Sequence, residues 1–230
     1  DIARHSGISD EQINFRKVED IYQWDNPLNE SCFIPEGNVI CLQGKTLKET
    51  TRALKEKYTD LPSYEILLKL RTLELIIHEQ VHAVSYTKLE NWDESVTKRD
   101  SFRQQNATPG MYKDTQSGYH HLIYKPNPKD KMYPDRNSIF VGFDEGVTEK
   151  LAQEILHRYL DNSMKVEDVE TYFQLKEEYG DEMNPYYSLV NLVEAVIEKI
   201  AQNSGFGKKM IWQAISRSKL EGTDLQDADL

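Results

Sequence analysis

The chain has 230 residues, of which 38% are hydrophobic and 29% are charged, and its formal net charge at pH 7 is −11. This composition is typical of a globular protein with one large domain or two small lobes. The acidic balance argues against a nucleic-acid-binding protein, which needs a basic surface. No apolar run approaches the roughly 18 residues of a membrane-spanning helix.

The N-terminal region is polar and weakly periodic. We interpret residues 1–30 as a flank that contains one short helix around Asp10–Ile21, and residues 31–230 as a single domain. The chain begins at Asp1, which would fit removal of an upstream signal and a location outside the cytoplasm, but it fixes neither.

Residues 31–43 are predicted to form short strands on either side of the Pro35–Asn38 turn. Asn38–Leu42 has the strongest strand pattern of this region. A hairpin here would bring Cys32 and Cys41 within bridging distance. The sequence leaves two alternatives open, a disulfide in an oxidising compartment or two reduced thiols that pack as small apolar side chains.

Two helices are predicted next. Thr46–Glu49 matches a capping box, which indicates a helix over Leu47–Tyr58. A second helix is predicted over Ser63–Leu89, where apolar residues recur at the spacing of a buried helix face. These residues are Ile66, Leu67, Leu70, Leu73, Ile77, Val81 and Val84.

Residues 90–138 contain most of the prolines and many Asn, Asp and Lys residues. We interpret them as a long loop or insertion with a few short elements, among them a strand over Gly118–Tyr124. Loops of this length in a compact domain are commonly functional. The insertion separates a sub-lobe over about residues 31–90 from one over about residues 139–220.

The remaining part of the chain has helical periodicity interrupted by Asn, Gly and Pro. Four helices are predicted there, over about Asp144–Leu160, Lys165–Tyr179, Tyr186–Asn203 and Lys208–Ser218. The acidic tail over Glu221–Leu230 is expected to fray. Taken together, the elements predict an α+β fold that is mainly helical, with a small sheet region that precedes the second helix.

The second helix contains the sequence His78-Glu79-Gln80-Val81-His82, which has the form H-E-x-x-H. Histidines at positions i and i+4 lie one turn apart on the same helix face, so His78 and His82 can bind one metal ion. Glu79 is then placed to act on a metal-bound water. An apolar helix that buries three such residues needs partners for them. The motif therefore predicts a site for one zinc ion.

A catalytic zinc takes three protein ligands and keeps one position open. No third histidine follows at short spacing, but Asp144–Glu149 reads D-E-G-V-T-E at the start of a predicted helix. This segment, with H-E-x-x-H, resembles the gluzincin superfamily of metallopeptidases, whose second motif reads N-E-x-x-S-D or N-E-G-x-x-E. The resemblance implies a zincin-like fold in which Glu145 is the third zinc ligand. It also implies that Glu149 accepts a hydrogen bond from the far ring nitrogen of His78.

The resemblance covers the H-E-x-x-H helix, the strand before it and the Asp144 helix, and the gap between the two motifs is longer than in compact members. It implies that Glu79 transfers a proton from a zinc-activated water to the leaving amine. Pro185-Tyr186 is similar to the Pro-Tyr that supplies an oxyanion donor in zinc aminopeptidases, which makes Tyr186 a second catalytic candidate. The competing donors are Tyr187, His120, His121 and Tyr124.

The sequence therefore predicts a zinc metallopeptidase that acts on a peptide or protein substrate. Nothing before His78 matches the Gly-x-Met-x-x-Asn-like segment of the aminopeptidases, which favours a different specificity. Two alternatives remain, a zinc-stabilised binding or regulatory module without activity and an amidase that acts on a non-peptide substrate. The intact Glu79 argues against the inactive module, which would have no need of that carboxylate.

Overall fold

A computed structural model describes residues 18, 20–23, 31–34, 39–85, 87–92, 112–125, 135–160 and 166–222. Over these residues the chain forms seven strands in two sheets and six α-helices. The prediction of a mainly helical α+β fold is confirmed at this level. Among the described helices, none combines the length and the apolar character that crossing a membrane would need.

The first sheet has three short strands, β1 (Asp20–Gln23), β2 (Cys32–Ile34) and β3 (Val39–Leu42), in the order β1-β3-β2. β2 and β3 are antiparallel, as predicted for a hairpin, whereas β1 runs parallel to β3. The helix predicted over Asp10–Ile21 is wrong at its end, because Asp20 and Ile21 pair with β3 and Val18 is not helical; its other residues lie outside the described part of the chain. Pairing with a distant segment outweighs weak local helical preference here.

The two cysteines are opposite each other in the β2–β3 ladder, with Cys32 paired to Cys41. No disulfide joins Cys32 and Cys41 in this structure. Residues paired in this way have Cα atoms about 4.5–5.5 Å apart, which is within the range of a disulfide. Cys41 is buried, and burial raises the pKa of its thiol. The β2–β3 pairing thus brings the two residues together, as expected.

Helix α1 spans Gly44–Lys57 and confirms the first predicted helix. It begins three residues earlier than predicted, because Gln43 is the residue that caps it: the Leu47 N–H donates to the Gln43 carbonyl at 3.0 Å. The predicted capping box over Thr46–Glu49 is therefore wrong, since these residues already lie within the helix.

Helix α2 spans Tyr64–Val84 and carries the H-E-x-x-H motif. The Ser63 hydroxyl caps its first turn by accepting from the Ile66 N–H at 3.5 Å. The helix ends five residues before the predicted end at Leu89. Ser85 has extended backbone angles, and its hydroxyl donates to the Val81 carbonyl in the last turn. Ser85 therefore caps the helix, which ends at Val84.

The described residues of the predicted loop or insertion over residues 90–138 lie mostly in strands, whereas residues 93–111 and 126–134 lie outside the described part of the chain. This region and its flanks supply a four-stranded antiparallel sheet in the order β4-β5-β6-β7. Its strands are β4 (Thr87–Trp92), β5 (Tyr112–Ser117), β6 (His120–Lys125) and β7 (Asp135–Ile139). The strands are rich in polar residues and lack a clear alternation of apolar and polar positions. Their sequence therefore gives a weak strand signal, although their backbones pair in the sheet. The predicted Gly118–Tyr124 strand begins two residues later, after a turn at Gly118 and Tyr119.

Four helices complete the described chain, close to their predicted positions. They are α3 (Val141–Leu160), α4 (Val166–Tyr179), α5 (Tyr187–Ser204) and α6 (Lys208–Glu221). A single 3-10 turn over Gly180–Glu182 joins α4 to the segment before α5. Helix α3 begins three residues before the predicted start at Asp144. Residues 223–230, most of the tail expected to fray, lie outside the described residues.

The core consists of two apolar clusters that share helices α2 and α3. One contains Leu54, Leu61, Leu67, Leu70, Leu156, Val169, Tyr172, Leu175 and Met183. The other contains Val81, Val147, Leu151, Val193, Ile197, Ile211, Trp212 and Ile215. Each buried side chain of this size contributes about 1.5–3 kcal/mol from its removal from water. Because α2 and α3 contribute to both clusters, their facing surfaces are fixed at the point where the polar motif residues lie.

Candidate metal centre

Three side chains from α2 and α3 meet at one point. The atoms that converge are His78 Nε2, His82 Nε2 and Glu145 Oε2. The two nitrogens lie 3.3 Å apart, and the oxygen lies 3.2 Å from the first nitrogen and 3.4 Å from the second. Ligands about 2.0–2.1 Å from a tetrahedral zinc lie about 3.3–3.4 Å from one another. The three atoms thus have the spacing of one face of a zinc tetrahedron, and within the described chain these residues form a group that could hold a metal ion.

Helix geometry and a glycine place these atoms. His78 and His82 are one turn apart on α2, and Glu145 lies in the first turns of α3, which packs against α2. Next to Glu145, Gly146 allows α5 to approach closely. A Cβ atom at Gly146 would lie 2.5 Å from the backbone oxygen of Leu189, so a larger residue would force the two helices apart. The glycine of the D-E-G segment is therefore needed for packing beside the site.

Glu149 lies one turn after Glu145 and contacts the other ring nitrogen of His78. Its Oε2 atom is 3.0 Å from His78 Nδ1, as its predicted role requires. Its Oε1 atom accepts hydrogen bonds from Gln153 and Asn184, both at 2.8 Å, and lies 3.3 Å from Lys176 Nζ. A carboxylate with both oxygens engaged holds the imidazole ring in a fixed orientation.

His82 also has an acidic neighbour, at a longer distance, which the motif spacing does not indicate. Asp144 Oδ2 lies 3.7 Å from His82 Nδ1. Asp144 is buried, and its Oδ1 atom accepts from Lys219 Nζ at 2.6 Å and from the Tyr119 N–H at 2.7 Å. Tyr119 belongs to the β5–β6 turn, so the second sheet contacts the residues around the site. The only signal in the sequence was that Asp144 directly precedes a predicted ligand.

The turn that carries Tyr119 fits closely against this ion pair. Gly118 has a φ of 57°, a left-handed conformation that favours glycine. A Cβ atom there would lie 2.5 Å from Asp144 Oδ1 and 2.7 Å from Lys219 Nζ. The turn thus excludes any larger residue from the surroundings of Asp144, which keeps the buried ion pair covered.

Buried acidic groups outnumber buried basic groups around the site. In the described part of the chain, the buried acidic residues are Glu74, Glu79, Asp144 and Glu149, and the buried basic residues are His78, Lys176 and Lys219. Glu74 accepts from the Tyr172 hydroxyl at 2.6 Å and contacts Lys176. Burial raises the pKa of Glu74. A buried surplus of carboxylates is costly without compensation, and a divalent cation at the three ligand atoms would supply it.

Glu79 is buried beside the ligand atoms but is not part of the ligand group. Burial raises the pKa of its carboxyl, although the charges of His78 and His82 oppose the shift. The backbone N–H of Phe33, on β2, donates a hydrogen bond to the Glu79 carboxylate. The small sheet therefore positions this carboxylate, and the raised pKa suits a group that accepts a proton during catalysis.

Tyr186 lies against the face of α2 that carries His78. Its ring stacks on the His78 ring, with a centroid separation of 4.8 Å and an angle of 18°. Its backbone N–H donates to Asn184 Oδ1 at 2.9 Å, so Asn184 joins the start of α5 to Glu149. The role of Tyr186 as an oxyanion donor stays a prediction. Among its competitors, Tyr187 packs against Gly180.

Two acidic neighbours affect the protonation of His78. Burial by itself lowers the pKa of His78, but hydrogen bonds to Glu145 and Glu149 more than offset this and raise the pKa to about 10. The contacts with His78 and His82 hold the pKa of Glu145 well below the ordinary range despite burial, and the charge of Lys176 together with His78 does the same for Glu149. In the metal-free protein, His78 is therefore protonated at neutral pH.

We expect zinc binding near pH 8 to release about one proton from His78, because a ligand imidazole must lose the proton at Nε2. The apparent zinc affinity should rise with pH up to the raised pKa of about 10 and weaken below it. Calorimetric titration in buffers of different ionisation enthalpy measures the number of protons released. Binding without proton release would contradict the assignment of His78 as a ligand.

No protein-family model matches this sequence, and neither the curated proteins nor the solved structures include a significant match to the chain. The function is therefore inferred from the geometry and chemistry of the site.

Proposed function

We propose that this chain is a zinc-dependent metallopeptidase of gluzincin type. The observation that carries the proposal is the triangle of ligand atoms from His78, His82 and Glu145, which has the edge lengths of a zinc tetrahedron. Glu79, buried next to this triangle, supplies the carboxylate that hydrolysis needs in addition to the metal.

The donor set favours zinc over the other common cations. Two imidazole nitrogens and one carboxylate oxygen are the ligand set of catalytic zinc sites that keep a fourth position open, whereas calcium and magnesium prefer oxygen ligands alone. Neither cysteine is in the ligand group. Zinc at this position would polarise the scissile carbonyl and lower the pKa of a water molecule to about 7.

Three residues of the chain would supply the other functions that hydrolysis needs. Glu79 accepts the proton of the attacking water and delivers it to the leaving nitrogen. Glu149 holds the ring of His78, which fixes the nitrogen that faces the metal. Tyr186, stacked on His78, is the candidate that donates a hydrogen bond to the developing oxyanion.

The position of the third ligand supports the gluzincin assignment over other H-E-x-x-H peptidases. Glu145 comes from a second helix downstream of the motif helix, as the gluzincin resemblance implies, and not from a histidine close behind it. The Glu145–Glu149 pair faces α2 with one residue at each ring nitrogen of His78. A zincin-like fold for residues 31–230 is part of the same proposal.

Metal content and peptide hydrolysis test the proposal together. We expect about one zinc per chain by elemental analysis and cleavage within a peptide library, with activity lost on chelation and restored by zinc. His82→Ala should reduce zinc content and cleavage below detection, because two ligands alone bind zinc weakly. His157→Ala is the matched control, since His157 lies on the exposed surface of α3.

The outcomes separate the competing functions. A protein that binds zinc through His82 but cleaves neither peptides nor other amides would be a zinc-stabilised binding module. Hydrolysis of non-peptide amides alone would indicate an amidase. Full activity in the His82→Ala variant would contradict the metal site itself.

A further inference from the structure

A cavity of about 240 Å³ lies next to the candidate metal centre. Helices α1 and α2 form one side of it, and the segment Met183–Tyr186 and Glu149 form the other. Of the three proposed zinc ligands, His78 lines the cavity and His82 and Glu145 do not, so a group bound there borders the candidate metal centre at the His78 ring. The volume is below the roughly 300–1,000 Å³ of small-molecule pockets and is suited to part of a larger ligand, such as a single side chain.

The carboxylates that line this cavity are already engaged. Glu149 uses one oxygen for His78 and the other for Gln153 and Asn184. Glu74 contacts Lys176 with one oxygen and accepts from a tyrosine hydroxyl with the other. Neither carboxylate is available as the main contact for a cationic ligand.

Arg71 is the cation of the cavity wall, and its bonding is incomplete. Its Nη1 atom donates to Thr50 Oγ1 at 3.2 Å and to Thr51 Oγ1 at 3.0 Å. A guanidinium carries five N–H donors, so the donors on Nε and Nη2 have no protein acceptor among the described residues. No described carboxylate forms an ion pair with Arg71 either, since the Glu74 oxygens are bonded to Lys176 and Tyr172.

The charge of Arg71 is only partly compensated by its surroundings. Burial lowers the pKa of the guanidinium, and the opposing influence of Tyr172 and Glu74 does not restore it. An anion bound in the cavity would compensate the charge directly. Arginine pairs best with a carboxylate, because its two parallel N–H groups match the two oxygens.

We propose that this cavity binds a carboxylate of the substrate and that Arg71 determines this specificity. The inference rests on the proposed peptidase function. Arg71 and His78 are seven residues apart and lie on the same face of α2, which separates them by about 10 Å along the helix. This distance spans about two or three residues of an extended peptide. The carboxylate is therefore an Asp or Glu side chain near the scissile bond, or the free C-terminus of a substrate that is cleaved two or three residues from its end.

Paired peptides distinguish the two sources of the carboxylate. One pair differs by Glu or Gln at each position within three residues of the cleavage site, and the other pair has a free or an amidated C-terminus. We expect kcat/KM to be about 10–100-fold higher for the acidic member of one pair, as charge-assisted hydrogen bonds predict. The pair that shows the preference identifies the source. Equal kcat/KM in both pairs overturns the proposal without any variant.

Substitution of Arg71 then tests the residue. In Arg71→Gln the acid-to-amide ratio should fall close to one, whereas a role limited to joining α1 and α2 would lower the melting temperature without changing the ratio. Arg52→Gln, at an exposed arginine of α1, should keep the wild-type ratio. If Arg71→Gln does not fold, Arg71→Lys keeps the charge but lacks the planar guanidinium group with its parallel N–H donors. It should lower the acid-to-amide ratio several-fold. A ratio unchanged in the folded Arg71 variants overturns the assignment.

Binding measurements separate this inference from the proposed function. Zinc-loaded Glu79→Gln is titrated with the same fluorescent peptide pairs, so that affinity is measured without turnover. Carboxylate-dependent binding that disappears in the double variant with Arg71→Gln supports the cavity assignment even if the wild-type protein cleaves no peptide. Cleavage of peptides with no carboxylate preference in rate or affinity refutes the cavity assignment and leaves the peptidase function in place.

Discussion

Replacing Glu79 with Gln is expected to lower kcat for peptide hydrolysis by about 10²–10⁴-fold, because an amide cannot accept the proton of the attacking water. The zinc content should stay at the wild-type level, since Glu79 is not one of the three residues in the ligand group. Elemental analysis and hydrolysis of a peptide identified as a substrate, measured on the same preparation, check both parts of this result.

The fold should tolerate this change. Burial raises the pKa of Glu79, so the folded protein favours the neutral carboxyl, and Gln is a neutral side chain of similar shape. A carboxyl with a raised pKa costs stability increasingly as the pH rises above its unfolded value. We therefore expect a melting temperature equal to or above that of the wild type at neutral pH, measured without metal.

Glu65→Gln is the matched control, because Glu65 is exposed in the first turn of the same helix. It should leave both zinc content and kcat unchanged. A Glu79→Gln variant that keeps full activity would refute the proposed role of Glu79. One that loses zinc would show that Glu79 holds the metal.

Local sequence patterns predicted the parts of the site that depend on helix geometry. His78 and His82 are one turn apart in a strongly periodic helix, so their shared face follows from spacing alone. Glu145 and Glu149 were assigned from the resemblance, and the structure brings both to His78. The gap between the motifs did not prevent this, because α2 and α3 share two apolar clusters that fix their contact.

The missed residues reach the site from distant parts of the chain. Lys219 is 75 positions from its partner Asp144, and Lys176 is 102 positions from Glu74. Each lysine lies in a helix whose sequence resembles any amphipathic surface helix with charged residues. Only the packing of α4 and α6 shows that these lysines are buried. The sequence contains no local signal for a cation that is buried by tertiary contacts.

Most of the second sheet lacks a local sequence signal for a related reason, although the strand predicted over Gly118–Tyr124 covers most of β6. Strands β5 and β7 consist largely of polar residues, and a strand signal depends on alternation between apolar and polar positions. Their stability comes from backbone pairing with neighbours, which a single-sequence pattern does not record. This sheet matters for the site, because the turn between β5 and β6 supplies the Tyr119 N–H that donates to Asp144.

Replacing Glu149 with Gln is expected to weaken zinc binding by about 10–100-fold, because in the proposed site this carboxylate orients the ligand His78. The amide cannot satisfy its neighbours in either orientation. If its oxygen accepts from His78, its NH₂ group faces the donors of Gln153, Asn184 and Lys176. If the amide is turned round, the NH₂ group faces the ring nitrogen that must carry a proton.

The same substitution should lower the free energy of unfolding of the metal-free protein by about 3–5 kcal/mol, the usual cost of removing one partner from a buried ion pair. Glu149 is buried, with a low pKa held down by Lys176 and His78 against the effect of burial. Stability contributed by such a carboxylate is present above its unfolded pKa and is lost as the pH falls towards its folded value. The variant should therefore show a weaker acid-dependent loss of stability than the wild type. Urea unfolding at several pH values measures both effects.

The two measurements separate the two contributions of Glu149. Glu177→Gln serves as a control, because Glu177 is exposed on α4 beside the buried Lys176, and it should change neither zinc affinity nor stability. If Glu149→Gln lowers stability but competition with a chelator shows wild-type zinc affinity, Glu149 acts only as an ion-pair partner in the core. If zinc affinity falls as well, the Glu149 carboxylate contributes both to metal binding and to the packing of α3 against α4. Loss of the metal should then loosen the contact between α2 and α3 that forms the site.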